Sequence, residues 1–193
     1  MPRLVLASSS RYRRALLDRL ELDYTWTAPE IDETRRPDED AVTLAHRLAL
    51  SKAQAVAENY PEHLIIGSDQ LALFEGDVLG KPGNFATACA NLKRFSGHRV
   101  TFMTGLALLD TAAGRHRVVH ETYDVIFRTL SDHEIERYVA RDEPYDSSGS
   151  FRMEGLGIAL FERFEGRDPN TLIGLPLMQL CDLLRDAGLD PLA

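Results

Sequence analysis

The chain has 193 residues, 44% of them hydrophobic and 27% charged, which suits one sizeable domain or two lobes sharing a core. Thirty acidic against 22 basic side chains give a net charge of −8 with no Lys/Arg stripe to offset it, so no nucleic acid is expected as a partner. No apolar run approaches the ~20 residues of a membrane span, and polar residues arrive too early for a signal peptide's apolar segment, so a cytoplasmic protein with no membrane partner is expected.

The elements alternate as in an α/β domain. Leu4 to Ala7 is a short apolar run broken by Ser8, Ser9 and Ser10. A helix is expected over 11–20, with Ala15, Leu16 and Leu20 on one face, then a strand over 24–27. An acidic, Pro-containing loop over 28–39 leads to a long helix over 40–59, with Asp40 as N-cap and Leu44, Leu48 and Ala55 marking its buried stripe. Leu64 to Gly67 reads as a buried strand that ends at Ser68, Asp69 and Gln70. Residues 71–74 and 78–79 flank a hairpin turn at Glu75, Gly76 and Asp77. A helix over 85–95 stops at Ser96 and Gly97, and two long strands follow over 99–109 and 116–128. Ser131 and Glu134 form a capping box for a helix to about residue 140. A strand is expected over 157–164 and a last helix over 175–187, ended by Gly188. Cys89 and Cys181 both fall in expected helices, as reduced, buried thiols rather than a disulfide.

Five places carry chemistry. Three serines after a strand, followed by Arg11, Arg13 and Arg14, gather N–H groups, hydroxyls and guanidiniums where an anion could bind; solvated surface arginines are the alternative. Lys52 continues the apolar stripe of its helix, four residues after Leu48. It either snorkels to the rim or points its ammonium at a bound phosphate. Asp69 follows an apolar strand, where α/β proteins collect their sites, and either caps a turn or serves a metal or a water. Lys81 between Gly80 and Pro82, and Asp32 with Glu33, add charge on loops. The six histidines lack the spacing of a zinc site, and no nucleophile elbow or P-loop is present.

The run Leu4-Val5-Leu6-Ala7-Ser8-Ser9-Ser10-Arg11-Tyr12-Arg13-Arg14 resembles the opening signature of Maf nucleotide pyrophosphatases. Ile31-Asp32-Glu33, Ser51-Lys52-Ala53, Gly67-Ser68-Asp69, Gly80-Lys81-Pro82, Thr104-Gly105 and Glu165-Gly166-Arg167-Asp168-Pro169-Asn170-Thr171 follow in the family's order across nearly the whole chain. The resemblance implies an elongated, two-lobed, mixed-sheet α/β fold of the Maf and inosine-triphosphate-pyrophosphatase type, forming one Maf-like domain over 1–193 with its site in the cleft. It implies hydrolysis of a nucleoside triphosphate to monophosphate and diphosphate with a divalent cation, Mg2+ or Mn2+. Ser8, Arg13, Lys52 and Lys81 match the phosphate-binding positions, Glu33 the acidic position near the metal, and Asp69 the general base, which also faces the metal.

Tyr12, Gln70 and Glu154 differ from the pyrimidine-acting branch, where arginine, threonine and glutamine stand, and resemble the branch acting on 7-methyl-GTP. Guanine presents two adjacent donors, which a carboxylate such as Glu154 accepts together. The cationic methylated base attracts an aromatic face such as Tyr12. The expected partner is thus a small nucleoside triphosphate, with a homodimer left open. The alternatives are a dTTP/UTP pyrophosphatase of the same family and a non-catalytic, nucleotide-binding regulator of septum formation.

Overall fold

The computed structural model describes residues 3–153 and 155–193. Strands β1 (Arg3–Ala7), β2 (Tyr24–Thr27), β3 (His63–Phe74), β4 (Asp77–Leu79), β5 (Arg99–Asp110), β6 (Arg115–Phe127) and β7 (Phe161–Gly166) form a seven-stranded mixed sheet in the order β2-β1-β3-β5-β6-β7, with β4 paired to β3. Helices are α1 (Arg11–Leu17), α2 (Ala41–Val56), α3 (Phe85–Phe95), α4 (Asp132–Asp142) and α5 (Leu177–Asp186). The chain divides into two compact units, the first of Met1–Gln70, Met103–Glu121 and Asp168–Ala193, the second of Leu71–Phe102 and Thr122–Arg167.

In the first unit β1 runs parallel to both β2 and β3, Leu4 facing Tyr24 on one side and Leu64 on the other. A strand paired on both edges and covered on both faces must be apolar throughout, and Leu4 to Ala7 are all 2% exposed or less. Alternation sorts the side chains into two layers. Leu4, Leu6, Leu64, Ile66, Leu106 and Leu108 pack with Leu16 and Leu17 of α1 and Leu180 and Leu184 of α5. Val5, Ala7 and Ile65 turn the other way, onto Ala53 and Val56 of α2. Two glycines let α2 lie directly on the strands. A Cβ at Gly67 would stand 2.0 Å from the carbonyl oxygen of Ala49, and one at Gly105 would stand 2.3 Å from that of Ala45. Both obstacles are helix backbone, which has nowhere to retreat.

The second unit is built around phenylalanine. Phe151 meets Phe161 at 4.8 Å between ring centroids, and Phe127 meets Phe161 at 5.0 Å and Phe95 at 5.6 Å. The Ser131–Glu134 capping box opens α4 as expected.

Four local expectations are corrected. The strand read as ending at Gly67 continues to Phe74. What ends there is its neighbour, since β1 stops at Ala7 opposite Gly67. The strand expected over 157–164 is preceded by a 3-10 turn, Leu156–Leu160, and β7 runs over Phe161–Gly166. The helices expected over 11–20 and 40–59 each finish in a 3-10 turn, Asp18–Leu20 and Ala57–Asn59. Cys89 and Cys181 are free and half-buried rather than fully buried. No helix among the described residues is long and apolar enough to cross a membrane.

Candidate active site

Strand alternation also builds the site. Asp69 has the parity of Ile65 and Gly67, so it faces α2, while Ser68 and Gln70 face the opposite layer. Gly67 fixes the height of α2 through Ala49, and Lys52 stands one turn further along that helix. The result is a short ion pair: Lys52 Nζ lies 2.6 Å from Asp69 Oδ1, with the two residues 8% and 7% exposed. The same ammonium lies 2.8 Å from Glu33 Oε1, a carboxylate that is 59% exposed. Lys52 is therefore a buried cation joining two carboxylates, not a snorkelling surface lysine.

The loop bearing Glu33 is held to the helix bearing Lys52 by a second ion pair. Arg47 of α2 donates to both oxygens of Glu39 at 2.6 and 2.8 Å and to the Thr34 carbonyl at 3.1 Å. Glu39 also accepts from the Arg36 backbone at 3.0 Å. The hydrogen bonds from Arg47 pull the Glu39 carboxyl down to about 2, and the carboxylate raises Arg47 in return. Neither residue stood out in the sequence. The available signal was an Arg eight positions after a Glu, across the end of a loop.

Arg13 approaches from α1. Its Nε donates to the Gly174 carbonyl at 2.8 Å, and its terminal nitrogen lies 3.4 Å from Ser8 Oγ. Burial lowers the guanidinium's affinity for its proton, while the charges of Asp69 and Glu33 raise it again. The serine run is used locally. Ser8 Oγ accepts the Ser10 N–H at 3.1 Å, and Ser10 Oγ caps α1 by accepting from Arg13 N at 3.3 Å. Of the three arginines in the expected anion site, Arg11 lies over the Tyr12 ring and Arg14 over the Trp26 ring, while Arg13 turns toward Ser8 and Gly174.

Ser8, Arg13, Glu33, Lys52 and Asp69 all belong to the first unit. Tyr12 is half-buried there, with the Arg11 guanidinium carbon 4.7 Å from its ring centroid. Gln70 directs its amide nitrogen to the carbonyls of Thr171 and Leu172, at 2.7 and 3.0 Å. Lys81 lies in the second unit, exposed between β4 and α3. Glu154 falls outside the described residues. Asp168, fully buried, caps the segment that follows it: Oδ1 accepts from Asn170 N at 2.9 Å and Oδ2 from Met178 N at 2.9 Å, so one carboxylate caps both a 3-10 turn and α5.

The Maf-like protein family model matches residues 3–187. The chain belongs to the Maf family. A relative 69% identical over 192 residues, spanning the whole of both chains, is named 7-methyl-GTP pyrophosphatase, from Chromohalobacter salexigens. Among solved structures, the Ham1 protein of Staphylococcus aureus is 14% identical with a TM-score of 0.48, covering 79% of this chain and 88% of its own. A HAM1 protein from Coxiella burnetii is 16% identical with a TM-score of 0.47, covering 80% and 89%. As a Maf protein, the chain carries its signature residues in ion pairs and caps that were not visible as such in the motif. Ser68 and Thr104, in two of the matched motifs, are fully buried and had no assigned role.

Proposed function

We propose that this Maf protein is a nucleoside triphosphate pyrophosphatase that converts 7-methyl-GTP and water to 7-methyl-GMP and diphosphate. The observation that carries the reading is the Asp69–Lys52–Glu33 cluster, intact in a chain 69% identical to a curated 7-methyl-GTP pyrophosphatase. A pure binding module has no use for a buried carboxylate aligned by a lysine.

Asp69 accepts the proton of the attacking water. Its Oδ1 is engaged by Lys52, which fixes the carboxylate's orientation. The water oxygen bonds to the α-phosphorus as the bond to the bridging oxygen breaks, and negative charge collects on the departing diphosphate. Arg13 and Lys52 meet that charge, which is why a chain of net charge −8 can take a polyanion, and Lys81 is assigned to phosphate binding by its motif match alone. Glu33 and Asp69 offer hard oxygen donors to a divalent cation. No cluster of three His, Cys, Asp or Glu suited to a metal exists among the described residues. The remaining ligands of Mg2+ or Mn2+ would be water and phosphate oxygens, the coordination those ions favour in nucleotide sites. Such an ion supplies charge neutralisation on the triphosphate.

Base choice is assigned to Glu154, which accepts the two adjacent guanine donors, and to Tyr12, whose ring already carries a cation on its face. Gln70 contributes through its amide oxygen, the nitrogen being spent on backbone carbonyls. The free cysteines suit a reducing compartment, and the cytoplasm is the proposed location. A diphosphate-release screen across 7-methyl-GTP, GTP, UTP and dTTP, with and without Mg2+ or Mn2+, tests the reading. Release from 7-methyl-GTP above the others supports it. Preference for UTP or dTTP moves the protein to the other branch, and no release from any triphosphate removes the enzyme assignment.

A further inference from the structure

The face of β3 and β5 turned away from α2 carries three polar side chains in an otherwise apolar layer. Ser68 and Thr104 are fully buried, and Gln70 is half-buried. All three address one segment, the 3-10 turn Pro169–Ile173 with Gly174. Thr104 Oγ1 donates to the Thr171 carbonyl at 2.8 Å, and Gln70 Nε2 reaches that oxygen at 2.7 Å and the Leu172 oxygen at 3.0 Å. Ser68 Oγ lies 2.9 Å from the Gly174 carbonyl and 3.0 Å from that of Gly105. The Gly174 oxygen is the one that receives Arg13 Nε at 2.8 Å.

Two features show that this is a seat for Arg13 rather than ordinary turn packing. Gly174 has φ +107°, which strains any side chain, and a Cβ there would stand 3.2 Å from Arg13 Nε and 3.3 Å from its Nη2, crowding the guanidinium that lies against the turn. Of the turn's end carbonyls, that of Thr171 also accepts the Gly174 N–H at 3.1 Å, while those of Leu172 and Gly174 are met by side chains. Two of those side chains adjoin the catalytic strand position, Ser68 and Gln70 flanking Asp69.

We propose that Thr104 and Ser68 are positioning residues: their hydroxyls lock the 168–174 turn, and through the Gly174 carbonyl that turn aims the guanidinium of Arg13 at the substrate's phosphates. The assignment rests on the pyrophosphatase reading for its substrate, but its test does not need turnover. A guanidinium anchored at Nε keeps its terminal N–H groups in one plane for phosphate oxygens. Loosening the anchor leaves the charge in place and removes its direction.

The probe is inorganic diphosphate, titrated calorimetrically with Mg2+ into wild type, Thr104→Val, Ser68→Ala, Thr104→Ser, Arg13→Ala and the Thr104→Val/Arg13→Ala double variant. Thr104→Val and Ser68→Ala should each weaken diphosphate binding about tenfold, the scale on which a small misplacement of a charged group acts. Thr104→Ser, which keeps the donor, should restore wild-type affinity, and Thr104→Val should add nothing once Arg13 is gone. The ratio of kcat/KM for 7-methyl-GTP to that for GTP should not change in Thr104→Val. Unchanged diphosphate affinity in folded Thr104→Val, full additivity with Arg13→Ala, or failure of Thr104→Ser to restore affinity each overturns the proposal. If Thr104→Val does not fold, Ser68→Ala and Thr104→Ser decide by the same criteria. A wild type that binds diphosphate yet hydrolyses no 7-methyl-GTP refutes the pyrophosphatase reading and leaves the seat for Arg13 standing.

Discussion

Replacing Lys52 by methionine separates the two readings of that lysine most sharply. The aliphatic stem lies in the buried stripe of α2, and methionine preserves its packing, so what is lost is the ammonium. Asp69, 7% exposed, then loses the cation at 2.6 Å. Removing one partner of a buried pair costs roughly 3–5 kcal/mol, and the site's opening to solvent at Glu33 places the expected loss near the lower end, about 3 kcal/mol. Glu33 itself is mostly exposed and rehydrates, adding less than about 1 kcal/mol. For a chain of this size, about 3 kcal/mol lowers Tm by roughly 6–12 °C. Triphosphate handling should fall as well, because a charge-assisted contact of roughly 1.5–3 kcal/mol corresponds to about one to two decades in kcat/KM. The two facing carboxylates, relieved of their internal cation, should also bind Mn2+ more tightly than in wild type, and Mn2+ should recover part of the lost Tm. Differential scanning fluorimetry with and without Mn2+, together with steady-state kinetics, reads all three. A variant with wild-type Tm and wild-type kcat/KM refutes the reasoning. One that melts low but is fully active per folded molecule reduces Lys52 to a structural role.

Asp69→Asn keeps an oxygen for Lys52 and should preserve folding and diphosphate binding while turnover drops by roughly two decades or more; near-wild-type hydrolysis rejects the base assignment. Glu154→Gln should cost about one to two decades in kcat/KM toward 7-methyl-GTP and raise relative activity on UTP, and a substrate profile unchanged from wild type ends that assignment. Glu39, held at about 2 in the folded protein by Arg47, gives stability that is present above the unfolded carboxyl value of about 4.3 and lost as pH falls from there through about 2. The Tm advantage of wild type over Glu39→Gln should therefore narrow steadily below about pH 4.5, and a gap independent of pH contradicts the role of the Arg47 pair.

Periodicity made most of the framework legible. The apolar run at Leu4 to Ala7, the Asp40 cap, Leu44 and Leu48 of the α2 stripe, and the Ser131–Glu134 box appear where the sequence points, whereas Ala55, read into that stripe, is exposed and Val56 is buried in its place. The length of β3 was not legible, because Gly67, Ser68, Asp69 and Gln70 read locally as a turn. They stay extended because tertiary pairing with β5, then with β4 from Ala72, outweighs local preference. The apolar-stripe lysine and the aspartate after an apolar run were found as oddities in the sequence, yet their partnership spans 17 positions and depends on the helix height set by Gly67. The Arg13–Gly174 bond joins residues 161 apart, a pairing no local pattern encodes.

The central claim is that water attacks the α-phosphorus of a nucleoside triphosphate beside Asp69. Hydrolysis of 7-methyl-GTP in water labelled with heavy oxygen, followed by mass spectrometry of both products, tests it most directly. The account predicts a single labelled oxygen in 7-methyl-GMP and none in diphosphate. Label in the diphosphate, or release of orthophosphate in its place, would contradict it.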